Sequence, residues 1–236
     1  VMKRQAVVNA GVPFRFREET SAGRFSTTDV RYDNGILDYV TELAGEEPLT
    51  QPVFWQTERK GRDRADKPEY KVKLSVSFCF SNTVQIIEHY HNSSWLEHGG
   101  APEKAMRSAF LSAMDGWLKQ NNKYNKNEAK ITWPDVQETL IFVSNNFSTQ
   151  TSYENQTKKA VNNRFIQEGM TEFLREKLQI FLLENPQAVE EAARQILVSK
   201  RSREAGEKAR LSIKSKSLAG SVDIANRVQK FVDCRT

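Results

Sequence analysis

Hydrophobic and polar residues alternate most regularly in the segment EYKVKLSVSFCFS (69–81). Its hydrophobic members fall at every second position: Tyr70, Val72, Leu74, Val76, Phe78 and Phe80. A period of two is typical of a β-strand, and it predicts one face on a core and one face toward water or a cavity. The next segment, TVQIIEHYHN (83–92), is predicted to be a strand that pairs with it.

The remaining pattern predicts four more strands and five helices. The strands are expected at 12–19 and 24–33, around a Ser-Ala-Gly turn, and at 52–59 and 140–147. Hydrophobic residues at helical spacing predict helices at 34–45, 102–119, 132–140, 158–184 and from Pro186 to about 215. The short helix at 132–140 has Thr132 as a candidate cap and Pro134 in its first turn.

Composition narrows the class of protein. The chain has 236 residues, of which 38% are apolar and 28% charged, and this balance is typical of a soluble, charge-rich protein. It contains no run of apolar residues long enough to span a membrane. Cys79 and Cys234 match no metal-binding spacing, which favours a cytoplasmic location. The chain begins at Val1, which fits either a processed protein or a piece of a longer one.

The positive charge is concentrated near the C-terminal end. The net charge is +5, and residues 198–217 hold seven Lys or Arg and two Glu, so the rest of the chain is neutral overall. Attraction to nucleic acid is therefore expected at this end. A solvated helix face explains the same charges equally well.

Histidines are the candidate metal ligands. His89 and His91 share one face of the predicted strand, and with His98 and Glu88 or Glu97 they would supply zinc-binding side chains. Their spacing fits no common zinc signature, so we expect no metal and interpret them as partly exposed strand residues. The chain also lacks the glycine-rich phosphate-binding and nucleophile motifs of common enzymes.

The stretch TSYENQTKKAVNNRF (151–165) raises a specific question. It ends in Lys158 and Lys159 at the entrance of a predicted helix, where acidic residues are usual. Either the stretch is simply solvated, or it binds an anion, since helix N-termini are electropositive.

Ordered motifs across almost the whole chain resemble the B subunit of bacterial type IIA topoisomerases, DNA gyrase and topoisomerase IV. The matching segments are NAGVPFRFRE, DNGILDYVTEL, PVFWQTER, HGG with MRSAF, FSTQTSYENQTKKAV, LLENP and VDC. One departure is GGAP (99–102), where this family usually has Gly-Gly-Thr-His.

The resemblance implies an α+β fold, the transducer domain of that subunit. It implies a left-handed β-α-β two-layer sandwich, similar to that of a ribosomal protein, followed by a long two-helix arm. The domains expected are a linker end (1–12), the sandwich (13–160), the helical arm (161–217) and a tail toward a cleavage domain (218–236).

The resemblance implies that the domain couples events in neighbouring parts of the protein. The domain would link ATP binding and hydrolysis in a neighbouring domain to dimer gate closure and DNA strand passage. The implied partners are double-stranded DNA, the A subunit and a second B subunit, with ATP and Mg²⁺ bound mainly outside this chain and no membrane contact. The parent would be an ATP-hydrolysing isomerase, and the chain alone is expected to be inactive.

The resemblance also assigns roles to individual residues. Lys158 and Gln156 would contact the γ-phosphate of ATP, with Lys158 acting in catalysis, and Lys159 would be solvated. Arg107 would face the transported duplex, and the basic arm residues would approach DNA: Lys200, Arg201, Arg203, Lys208 and Arg210. Two alternatives remain, a freestanding nucleic-acid-binding protein of the same fold and the transducer of a related ATPase.

Overall fold

The structure is a computed structural model that describes the backbone of residues 2–154 and 156–227 and the side chains up to residue 215. The predicted tail beyond residue 227, with Cys234 and the VDC motif, lies outside the described residues. No helix in the described part of the chain is both long and apolar enough to cross a membrane.

Six helices and seven strands make up the described chain. The helices are α1 (Met2–Val8), α2 (Ile36–Ala44), α3 (Ala101–Gln120), α4 (Trp133–Gln137), α5 (Arg164–Glu184) and α6 (Pro186–Arg227). The strands are β1 (Phe14–Ser21), β2 (Arg24–Val30), β3 (Val53–Gly61), β4 (Tyr70–Phe80), β5 (Ile86–His91), β6 (Ser94–Trp95) and β7 (Leu140–Ser148). The predicted elements are therefore present, with shifts at their ends.

The main sheet has the order β3-β4-β7-β5-β6, and β1 and β2 form a separate hairpin. The predicted pairing of β5 with β4 is wrong, because β7 lies between them, antiparallel to β4 and parallel to β5. Residues 140–143 of β7 are apolar and buried, as expected for a central strand covered on both faces. The chain from β5 through α3 to β7 forms a βαβ unit.

Helices cover both faces of this sheet. The predicted arrangement of two layers therefore lacks the helices on the second face. On one face α3, α5 and the start of α6 enclose the larger core, with Phe78, Phe110 and Phe142 at its centre. On the other face α1 and α2 pack on Cys79 and Ile141. The second half of β4 is consequently buried on both sides, contrary to the prediction of one open face.

α5 belongs to the packed body of the molecule rather than to an arm. It begins at Arg164 instead of residue 158, and it packs alongside α3 through buried residues such as Met170 and Leu174. The predicted boundary between residues 160 and 161 therefore does not separate a sandwich from an arm. α6 starts in the same core with Val189 and Ile196, and only residues 205–215 are exposed throughout.

Candidate functional site

The stretch that carries Lys158 is an irregular connection between β7 and α5, which we call the polar loop (residues 149–163). Asn163 fixes its C-terminal end. The Asn163 side chain is buried, accepts a hydrogen bond from the backbone N–H of Ser152 (2.7 Å), and donates to Asp63 (2.8 Å) and to the Tyr70 hydroxyl (3.0 Å). These bonds tie the polar loop to β4 and to the connection between β3 and β4.

Asp63 also occupies the N-terminus of α5. Its carboxylate accepts hydrogen bonds from the backbone N–H of Phe165 and from the Tyr70 hydroxyl, each 2.9 Å long. An acid at the first turn of a helix complements the helix dipole. The acid that the local sequence lacks therefore comes from another part of the chain, and the N-terminus of α5 is already compensated.

His91 fixes the other end of the polar loop. Its Nε2 atom lies 2.9 Å from the Ser148 hydroxyl and 3.0 Å from the Thr151 hydroxyl, and Asn92 donates to the Ser148 carbonyl. His91 is fully buried, and burial lowers its pKa to about 4. The prediction that this histidine is partly exposed is wrong.

His89 is buried as well, and it contacts Ser144 on β7 (Nδ1 to Oγ, 2.9 Å). Burial in the first place, and the positive charge of Arg107 in the second, lower its pKa to about 3. His98 is exposed. The described residues contain no cluster of three or more His, Cys, Asp or Glu side chains that could hold a metal ion.

The two adjacent lysines of the polar loop differ sharply. Lys158 is exposed, has a positive φ of 56°, and holds its Nζ atom 5.6 Å from the centre of the Tyr153 ring. Lys159 pairs with Glu97, and this pairing lowers the pKa of the Glu97 carboxyl. The expectation that Lys159 is simply solvated is therefore wrong. Gln156, two residues before Lys158, is also exposed.

Arg107 lies on the exposed side of α3. It forms an ion pair with Glu103 one turn earlier, and its guanidinium carbon lies 5.5 Å from the centre of the Trp133 ring. About half of its side chain is accessible, with a relative exposure of 49%.

Three of the predicted DNA-facing residues of α6 are paired with carboxylates from another part of the chain. The Lys200 side chain is fully buried, 3.0 Å from Glu128, and Arg201 contacts the same carboxylate at 3.0 Å. Arg203 lies 2.8 Å from the buried Asp135. Hydrogen bonds, chiefly that from Arg201, lower the pKa of Glu128 to about 2.

These contacts change the interpretation of the basic segment. The prediction of DNA contact does not fit Lys200, because its ammonium group is buried against carboxylates, and Arg201 and Arg203 are engaged in ion pairs. Sequence reasoning missed this because Glu128 and Asp135 are distant along the chain. Lys208 and Arg210 are exposed, as a DNA-facing role requires.

Sequence comparison with known proteins finds B subunits of DNA gyrase as relatives of this chain. The B subunit of DNA gyrase from Mycoplasma pneumoniae is 26% identical over 238 aligned positions, which cover 100% of this chain and 36% of that protein. The corresponding gyrase protein of Thermotoga maritima is 25% identical over 205 positions, covering 86% of this chain and 31% of the relative. The chain thus spans about a third of the length of the curated relatives it matches.

Solved structures show the same fold. The 43K ATPase domain of Thermus thermophilus gyrase B, in complex with an aminocoumarin, superposes with a TM-score of 0.68 at 22% identity, covering 89% of this chain and 54% of that one. The gyrase B-subunit of Myxococcus xanthus gives 0.61 at 17% identity, covering 82% and 58%. The family model described as DNA gyrase B matches residues 35–211, well over half of the sequence, and the chain therefore belongs to the DNA gyrase B family.

Proposed function

We propose that this chain is the transducer region of a longer, ATP-dependent type IIA topoisomerase B subunit, a cytoplasmic isomerase. In this role Lys158 reaches the γ-phosphate of ATP held by a neighbouring domain. The observation that supports the role best is the contrast between the two lysines: Lys158 is exposed on a loop anchored at both ends, whereas Lys159 is paired with Glu97.

The chemistry of the polar loop fits a terminal phosphate. The ammonium group of Lys158 and the amide of Gln156 are donors, and each hydrogen bond to a charged oxygen contributes roughly 1.5–3 kcal/mol. In phosphoryl transfer, a cation at the transferring group stabilises charge that develops in the transition state. The anchors at Asn163 and His91 hold the loop in place before such a contact forms.

The described residues do not supply the rest of a nucleotide site. They contain no cluster of three or more His, Cys, Asp or Glu side chains that could hold a metal ion. ATP supplies the phosphate whose loss would release the contact, and the residues that bind its other groups and the metal belong, in this proposal, to another domain. The chain alone is then expected to turn over no ATP.

The fold provides a route from the polar loop to α6. Asn163 and Asp63 join the loop to the start of α5, α5 packs on α3, and α5 leads through Asn185 into α6. Movement of Lys158 toward or away from a phosphate would therefore shift a packed helix pair. We propose that this shift couples ATP to gate closure between two B subunits, and to passage of DNA gripped with the A subunit.

DNA contact is assigned to exposed cations that are not paired with the core, which includes Arg107 because its partner Glu103 lies on the same helix. Arg107, Lys208 and Arg210 would contact phosphates of the transported duplex without reading its sequence. Lys200, Arg201 and Arg203 would instead fix the direction in which α6 leaves the core.

The test compares Lys158→Ala with Lys159→Ala in the longer protein that contains these residues. We expect Lys158→Ala to retain ATP binding and to lower hydrolysis by about 10³–10⁵-fold, the range for a cation that acts in the transition state. DNA strand passage should fail in the same variant. Lys159→Ala removes the same charge one residue away and should keep most of the turnover. Unchanged hydrolysis in Lys158→Ala would show that the polar loop is only a solvated entrance to α5.

A further inference from the structure

A small cavity lies between β5, the start of α3 and α4, separate from the polar loop. Its volume is about 160 Å³, and His89, Trp133, Arg107, Glu103 and Glu97 are among its lining residues. That volume exceeds the roughly 30 Å³ share of one water molecule several-fold. The cavity is therefore large enough for a small organic anion.

Two buried polar atoms of the lining have no partner among the described residues, Nε2 of His89 and Nε1 of Trp133. His89 is only 3% exposed. Buried polar groups in folded proteins almost always have a hydrogen-bond partner, so two unpartnered atoms in side chains that line one cavity indicate a partner that the described residues do not supply.

The hydrogen bond to Ser144 determines what His89 presents to the cavity. Ser144 is fully buried, and His89 Nδ1 is the partner that the structure gives its hydroxyl. The hydroxyl proton is satisfied only if Ser144 donates to Nδ1, and a neutral imidazole then carries its proton on Nε2. The imidazole is neutral at ordinary pH because burial lowers its pKa to about 3. His89 and Trp133 therefore both offer N–H donors.

Arg107 adds positive charge to these donors. One of its terminal nitrogens donates to Glu103, and a guanidinium group has five N–H donors in total, so others remain for a ligand. The two acids of the lining are each compensated, Glu103 by Arg107 and Glu97 by Lys159. Arg107 in the lining and Lys159, which is not a lining residue but pairs with Glu97, balance the two carboxylates, and a region close to neutral favours a singly charged ligand over a dianion.

We propose that this cavity binds a small carboxylate, with the N–H groups of His89 and Trp133 and the guanidinium of Arg107 as its donors. The site is independent of the proposed ATP contact, since none of the three donors belongs to the polar loop. Glu97 nevertheless lines the cavity and holds Lys159, so a bound carboxylate would lie one ion pair away from the loop that carries Lys158.

The test is an NMR titration of the unmodified chain, which needs no variant that could misfold. The indole N–H signals are followed while acetate replaces chloride at constant ionic strength, with phosphate in a parallel titration. We expect a saturable shift of the Trp133 signal with acetate and none of the Trp117 signal, because Trp117 does not line the cavity.

Variants then test the donors. Trp133→Phe identifies the signal by removing it, and acetate affinity measured by calorimetry should fall about tenfold or more, as expected for loss of a hydrogen bond to a charged group. Trp117→Phe, the matched control, should leave the affinity unchanged. Absence of any saturable shift would mean that water satisfies both donors, and tighter binding of phosphate than of acetate would overturn the assignment to a carboxylate.

Discussion

At the scale of single residues, the two strand histidines depart most from what the sequence suggests. An alternating strand pattern places His89 and His91 on one face but does not say what covers that face. The structure covers them with the polar loop and with α3 and α4, and both are buried beside serine hydroxyls. Both histidines have structural roles, and His89 is in addition a proposed hydrogen-bond donor to the carboxylate site.

Burial of both histidines predicts a loss of stability in mild acid. Their pKa values in the folded chain are about 3 and about 4, against 6.5 ordinarily, so below pH 6.5 only the unfolded chain takes up these protons. The free energy of unfolding should fall as pH drops below 6.5, with a slope that approaches about 1.4 kcal/mol per pH unit for each histidine until the pH nears its folded pKa, about 4 for His91 and about 3 for His89. Urea unfolding at pH 7, 6 and 5 measures this. His91→Gln should show a shallower dependence, whereas a similar slope in His91→Gln and His98→Gln would contradict the assignment.

The lysine pair shows how far the sequence could define the candidate site. The resemblance assigns the phosphate contact to Lys158 rather than Lys159, and the exposed position of Lys158 is compatible with that prediction. The partner of Lys159 could not be predicted, because Glu97 is distant in sequence. Glu97 follows β6, and only the tertiary structure brings it next to the polar loop. Contacts of this kind depend on tertiary structure.

At the scale of elements, the anchoring of the polar loop is the feature with the clearest energetic consequence. Asn163 is buried and makes three hydrogen bonds, so Asn163→Ala leaves the N–H of Ser152 without its acceptor. We expect a loss of about 2–3 kcal/mol in the free energy of unfolding, measured by urea denaturation.

The neighbouring Asn162→Ala is the matched control, because the Asn162 side chain is exposed and the substitution should cost less than about 0.5 kcal/mol. The two variants also separate stability from function. If the anchor positions Lys158, Asn163→Ala should lower ATP turnover in the longer protein at a temperature where the protein stays folded. Equal stability of the two variants would contradict the anchoring role.

Most elements were predictable, and their pairing was not. Period-two and helical patterns identified β4, α2 and α3 because local burial repeats along them. The neighbours of β7 depend on a crossover through α3, which no local pattern records. The predicted start of α5 at residue 158 lies six residues before the observed start at Arg164, because the carboxylate that caps the helix belongs to Asp63, far back along the chain.

At the scale of the whole molecule, the basic end divides into cations paired with carboxylates of the core and cations that are exposed. Lys200, Arg201 and Arg203 join α6 to the buried or nearly buried carboxylates of Glu128 and Asp135. A cation that is already paired with a carboxylate of its own chain releases few counterions when DNA binds nearby. The excess positive charge of residues 198–217 therefore overstates the charge available for DNA.

This division predicts how DNA affinity depends on salt. Each phosphate contact contributes about −0.9 to the slope of log K against log salt, so seven contacts would give about −6. We expect a shallower slope, and Lys208→Gln with Arg210→Gln should reduce its magnitude by up to about 1.8, because both side chains are exposed. Arg203→Gln, the matched control, removes a cation already paired with Asp135 and should leave the slope unchanged in the folded protein. Filter-binding or fluorescence titrations across a range of salt concentrations give these slopes. A slope near −6, or an equal effect of Arg203→Gln, would contradict this division. It would mean that the ion pairs of Lys200, Arg201 and Arg203 break when DNA binds, and that α6 separates from the core.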